Sequence, residues 1–125
     1  MARKLNKWYN SRVDWLTWID SYVVQGEESF TYDGKDYIII CQVSKDDPCY
    51  GLGVNIEKCG DPYTVFDWFI TDPVEYTGGV GEPPRLFGTF RTVEELVTAS
   101  ILDGKSIKEL YDQLEFFEYD GFLDD

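Results

Sequence analysis

Apolar positions near the N-terminus fall at Leu5, Trp8, Tyr9, Val13, Leu16, Ile19 and Val23. These are the i, i+3, i+4, i+7 spacings of one helix face, and no Gly or Pro interrupts them, so the pattern predicts an amphipathic helix over residues 5–23. Trp15, Trp18 and Tyr22 form a second aromatic line at helical spacing, which widens the apolar sector and offers a partner-facing stripe. Gly26 fits the helix stop. Beyond it the period falls to two. Residues 29–32 and 37–43 are rich in β-branched and aromatic side chains, and Asp33-Gly34 between them is the dipeptide of a tight hairpin turn. Leu52, Val54 and Ile56 alternate with smaller or polar neighbours as a third strand. Residues 63–70 read as a fourth, bounded by Asp61-Pro62 and Asp72-Pro73. The stretch 71–85, with three Pro and three Gly, reads as a long loop of the kind that often binds something. Residues 86–90 return as a short strand.

Thr92-Val-Glu-Glu95 and Ser106-Ile-Lys-Glu109 each place a hydroxyl three residues before a carboxylate, the reciprocal capping arrangement, so two short helices are expected to start there. After Leu114 acids and aromatics alternate to the end, as a final edge strand or an exposed tail. The expected fold is therefore α+β: an N-terminal amphipathic helix packed on a mostly antiparallel sheet of four or five strands, followed by two short helices, all in a single domain over residues 1–125.

Charge changes the picture more than size does. The chain of 125 residues carries 24 Asp and Glu against 11 Lys and Arg, a net charge of −13. Direct binding to nucleic acid or to an anionic membrane is electrostatically unfavourable, and a basic protein becomes the expected partner. No window approaches 18 consecutive apolar residues, and no signal-type apolar run follows the basic N-terminus, so a cytoplasmic protein is expected. Three cysteines, an odd set, agree with reduced thiols in that compartment.

Candidate chemistries fall away one by one. There is no histidine, hence no Ser–His or Cys–His nucleophile and none of the commonest metal ligand. Cys41, Cys49 and Cys59 lack the close pair of a zinc site. The 12-residue window from Asp46 to Glu57 has Gly51 at its sixth position, but Pro48 and Tyr50 occupy ligand positions of a calcium loop. Gly78-Gly-Val-Gly81 lacks the Lys and the following helix of a phosphate cradle. No catalytic residue, metal or cofactor is assigned.

The acids are unevenly placed. The first 12 residues hold four bases and no acid, and from Glu109 onward seven acids stand without a base. Spread over a compact surface of roughly 6,900 Å², the net charge is some fivefold more dilute than the phosphates of DNA, so imitation of nucleic acid requires clustering. The candidate partner-binding set is Glu109, Asp112, Glu115, Phe116, Glu118, Tyr119 and Asp120, with Asp46 and Asp47 from the sheet loops. Aromatics among them would supply desolvated anchors.

The segments Phe87-Gly-Thr-Phe-Arg-Thr-Val-Glu-Glu-Leu96 and Asp103-Gly-Lys-Ser-Ile-Lys-Glu-Leu-Tyr-Asp112 resemble the C-terminal part of small acidic proteins from prophages and mobile elements of Gram-positive bacteria. That group includes anti-CRISPR inhibitors, and the resemblance implies a non-enzymatic inhibitor that occludes the basic nucleic-acid channel of a host defence nuclease. It transfers no individual functional residue. Two alternatives stand beside it: an immunity-type or other interaction module acting through Trp15, Trp18, Tyr22 and the 71–85 loop, and a small enzyme with a carboxylate or thiol centre.

Overall fold

The computed structural model describes residues 4–47, 65–78 and 81–123. Five strands form one antiparallel sheet: β1 (Leu5–Asn10), β2 (Glu27–Tyr32), β3 (Lys35–Val43), β4 (Phe66–Thr71) and β5 (Glu115–Phe122). Their order is β1-β5-β2-β3-β4. The α+β class with an antiparallel sheet agrees with the sequence pattern.

The hairpin between β2 and β3 closes as the Asp-Gly pair requires. Asp33 and Gly34 have φ of 51° and 78°, the two positive values of a type I′ turn. Ser29 then faces Ile38 and Phe30 faces Tyr37. The run Tyr37-Ile-Ile-Ile40 is apolar without alternation because both faces of β3 are covered. Tyr37 and Ile39 join the main core, whereas Ile38 and Ile40 pack with Phe69 on the opposite face.

The expected N-terminal helix is corrected. Residues 5–10 form β1, paired with β5 through Trp8–Glu118 and Tyr9–Phe117. Spacing alone could not decide this stretch, because aromatics at Trp8 and Tyr9 suit a pleated surface equally well. Helix begins only after Asp14, whose carboxylate accepts from the Thr17 N–H at 3.2 Å and the Thr17 hydroxyl at 2.6 Å. From there 15–25 is a composite: α1 (Trp15–Thr17), a π turn (Trp18–Tyr22) and a 3₁₀ turn (Val23–Gln25). Gly26 ends it at φ 88°, as a left-handed cap must. An added Cβ at Gly26 would also meet the Cys41 Cβ at 3.3 Å.

The composite helix covers one sheet face with the later elements. Trp18 and Val23 are buried there with Phe30, Ile39, Ile70 and Phe116 from the strands. Leu96 and Val97 come from α3 (Val93–Thr98), and Ile107, Leu110 and Leu114 from the segment that follows. Thr92 caps α3 through the Glu95 N–H at 3.1 Å. The second capping box forms reciprocally between Ser106 and Glu109, at 3.0 and 3.2 Å. It starts one turn, closed by Leu110 N–H to Ser106 C=O, which leads into a 3₁₀ turn at Tyr111–Gln113 rather than a second α-helix.

Three further expectations are resolved. The 71–85 stretch contains a helix, α2 (Pro73–Gly78), set off by Asp72 accepting from the Val74 N–H. Residues 86–90 contribute isolated bridges alongside β4, Phe90 exchanging two backbone hydrogen bonds with Trp68. The final segment is neither edge nor tail, since β5 lies between β1 and β2. The third strand read at Leu52–Ile56 lies outside the described residues.

Gly26→Ala is expected to cost about 1–2 kcal/mol, because the left-handed φ disfavours any side chain and the Cys41 contact is already tight. Urea unfolding of the two proteins, compared at equal m-value, measures it.

Candidate functional site

The nine residues singled out from the sequence separate once folded. Asp47 is 4% exposed, and its carboxylate accepts from the Val65 N–H at 2.7 Å. It organises a loop and offers no exposed carboxylate to a partner. Asp46 is exposed but pairs with Arg91 at 3.2 Å. Glu109 is committed to capping its own turn. Phe116 is 5% exposed and packs on Trp18, ring centroids 5.1 Å apart, so it is core and not anchor. Asp112, Glu115, Glu118 and Asp120 are exposed, and Tyr119 is half-buried. Strand alternation divides the β5 residues: Phe116, Glu118 and Asp120 lie on the face of the composite helix, Glu115 and Tyr119 on the other.

Glu118 acquires a neighbour that sequence reading missed. Ser29 pairs with Phe117 and Phe30 with Phe116. The same register sets Glu28 of β2 beside Glu118 of β5 on the same face, and Trp8 of β1 flanks Glu118 from the other side. Like charges directly across neighbouring strands are destabilising. Burial is the main cause that pushes the Glu28 carboxyl up to about 7, partly opposed by the Ser29 N–H donating to it and reinforced by the Glu118 charge.

These three residues form one side of a groove of about 700 Å³. Its facing wall comes from the composite helix, through Trp18, Tyr22 and Gln25. Trp8 is 48% exposed and Tyr22 45%. Trp18 is almost wholly buried, and its indole Nε1 has no hydrogen-bond partner. Glu27 reaches the groove's end but turns its carboxylate to the opposite face, where the Tyr76 hydroxyl donates to it at 3.3 Å. The π turn accounts for the double aromatic line: Trp15 and Trp18 both turn inward onto Tyr111, at 5.2 and 5.4 Å between centroids, leaving Tyr22 at the rim.

The cations lie elsewhere. Arg85 bridges Asp67 and Glu82, Lys45 pairs with Glu82, and Arg91 pairs with Asp46 and Asp67, all around β4. Lys7 is held by Asp36 at 2.6 Å. Arg12 donates to the carbonyls of Asp112 and Leu114, tying the β1–α1 connection to the chain entering β5. Among the described residues no Lys or Arg lines the groove, and neither Glu28 nor Glu118 takes part in an ion pair. Most of the ion pairs thus gather around β4, through Asp46, Asp67 and Glu82, whereas Glu28 and Glu118, where β5 meets β2, have none.

Thiol chemistry finds no support at Cys41. Burial, with the Asp67 charge adding to it, pushes this thiol up to about 11. Cys49 and Cys59 lie outside the described residues. No group of three or more potential metal ligands occurs among the described residues, and no helix there is long and apolar enough to cross a membrane.

A carboxyl that binds its proton more tightly in the fold than in the unfolded chain favours folding while protonated. Its contribution is complete below about pH 4.5 and is lost as the pH rises through about 7. Glu28→Gln is therefore expected to be more stable than the parent at pH 8 by about 1–2 kcal/mol, after discounting for solvent screening, with the gap closing at pH 4. Urea melts at the two pH values measure it. Iodoacetamide at pH 8 should modify Cys41 at least tenfold more slowly than an unhindered thiol, since only the thiolate reacts; peptide mapping over time gives the rate.

Comparisons with protein-family models, with curated proteins and with solved structures each find no match.

Proposed function

We propose that this protein is a non-enzymatic acidic binding protein that docks onto the basic, nucleic-acid-binding surface of another protein. A phage or mobile-element inhibitor of a host defence nuclease would act in this way. The observation that supports the reading is the composition of the groove: among the described residues its lining holds Glu28 and Glu118 and no Lys or Arg, while Arg12, Arg85 and Arg91 are engaged elsewhere. Uncompensated carboxylates beside exposed aromatic surface suit arginine and lysine side chains that ordinarily hold phosphates. Exposed Asp120, two residues beyond Glu118 on β5, adds to the negative field that would steer a cationic partner toward the groove. Relative to the set expected from sequence, the contact residues become Glu28, Glu118, Trp8 and Tyr22, with Asp120 beside them.

One observation favours a second reading. A carboxyl held near neutrality in a cleft, with another carboxylate beside it, is the arrangement a general acid uses in glycoside chemistry. That reading requires turnover of an aryl glycoside by the parent protein and its loss in Glu28→Gln.

The docking reading is tested by capture from host lysate at 50 and 300 mM salt, with and without added duplex DNA. The parent is expected to retain nucleic-acid-binding proteins that DNA displaces and high salt releases. The double variant Glu28→Gln, Glu118→Gln is expected to retain them at least tenfold less well. Retention of the same proteins by parent and double variant alike, or indifference to DNA, overturns the reading.

A further inference from the structure

We propose that the junction of β2 with β5 is a proton-operated zipper: its ladder lengthens toward Glu27 and Tyr119 when a proton is taken up between Glu28 and Glu118, and unzips when that proton leaves. The device belongs to the free protein and does not rest on the docking reading.

The alternation of the sheet shows where the ladder stops. The Cys41 N–H donates to the Gly26 C=O at 2.9 Å, which continues the pairing of Glu27 with Ile40 and fixes the even residues of β2 as those bonded to β3. The odd residues therefore point their N–H and C=O groups at β5. Ser29 with Phe117 and Thr31 with Glu115 are the hydrogen-bonded pairs, and Phe30 with Phe116 lies between them. One step further out, Glu28 would face Glu118 as a close pair without backbone bonds. At the next step Glu27 would exchange two bonds with Tyr119. Among the described residues neither pair forms. Both strands nevertheless run on: Glu27 stays paired with Ile40 and Glu28 with Ile39, Glu118 with Trp8 and Tyr119 with Lys7. The sheet thus forks between two inner strands, at the rung where two carboxylates meet. Pairs of that non-bonded kind bring side chains closest in an antiparallel sheet, so two ionised carboxylates there oppose closure.

The groove opens from this fork. Its lining takes in residues 27–29 of β2 and 116–119 of β5, from both faces of the sheet. On the far face the Tyr119 hydroxyl reaches the Glu27 carboxylate at 3.5 Å, a contact that a restored rung would shorten. The groups facing Glu28 are few. Glu118 comes from β5, Tyr22 from the composite helix and Tyr111 from the 3₁₀ turn, while β1 and β3 offer Trp8 and Ile39. The Arg12 guanidinium stands 6.0 Å from the centre of the Tyr111 ring and is bonded to two carbonyls. Glu118 is the carboxylate that Glu28 meets across the fork. Burial pushes the Glu28 carboxyl up to about 7, so its proton comes and goes around neutrality. Shared between a carboxyl and a carboxylate, that proton replaces a repulsion with a charge-assisted hydrogen bond across the fork.

The test is NMR of the ¹⁵N,¹³C-labelled chain at pH 5.5 and 8.5. At pH 5.5 an NOE between the Glu28 and Glu118 Hα protons is expected, the signature of a close antiparallel pair. Protection factors of the Glu27 and Tyr119 amides, corrected for intrinsic exchange, are expected to be at least tenfold higher at pH 5.5 than at pH 8.5, with Ser29 and Phe117 as references inside the existing ladder. Glu28→Gln and Glu118→Gln each leave at most one charge at the rung, and both are expected to show the NOE and the protection at either pH. Absence of the NOE from the parent at pH 5.5, its presence in the parent at both pH values, or a pH dependence that persists in both variants overturns the zipper.

Discussion

The insertion of β5 between β1 and β2 is the constraint on which the molecule depends. It joins β1 to a sheet that would otherwise consist of β2, β3 and β4. It delivers Phe116 to the main core and, two residues on, Glu118 to the surface of the same face. The carboxylate pair follows from that registration alone. A shift by one residue would turn Glu118 to the opposite side and bring Phe117 into its place. The Arg12 guanidinium, bonded to two carbonyls just before the strand begins, helps hold the register.

Electrostatics and packing oppose one another here. A protein with so large an excess of acid must place many carboxylates near each other, and Asp46, Asp67 and Glu82 near β4 are relieved by Arg85, Arg91 and Lys45. Glu28 has no such relief. It is partly buried, faces a second carboxylate and holds its proton to near neutrality. Such an arrangement lowers stability at physiological pH, which is the usual trade between a poised site and a comfortable fold. The proposed function explains why the cost is tolerated: a cationic partner would supply the missing counter-charge.

Local signals in the sequence were reliable where the chemistry is local. Asp33-Gly34 set its turn, Gly26 its helix stop, and Thr92 and Ser106 their caps, because each depends on a few adjacent backbone groups. The N-terminal segment misled because Leu5, Trp8 and Tyr9 satisfy helical spacing while belonging to a strand whose partner lies more than a hundred residues away. The same distance hid the site. Glu118 was identifiable as part of an acidic run, but nothing in the sequence places it beside Glu28, and Glu28 itself reads as an ordinary residue opening a strand. Phe116 and Asp47 went the other way. Their types suited a surface patch, and only burial shows one to be core and the other a loop brace.

The position of β5 also bears on how the chain reaches its final form. During synthesis β2, β3 and β4 can assemble from contiguous chain, while β1 waits without a neighbour until residues 115–122 emerge. Long-range pairing of this kind raises contact order and slows folding, and the aromatic β1 segment stays exposed meanwhile. Completion of the carboxylate pair would then coincide with closure of the sheet, so a half-made chain would carry no competent groove.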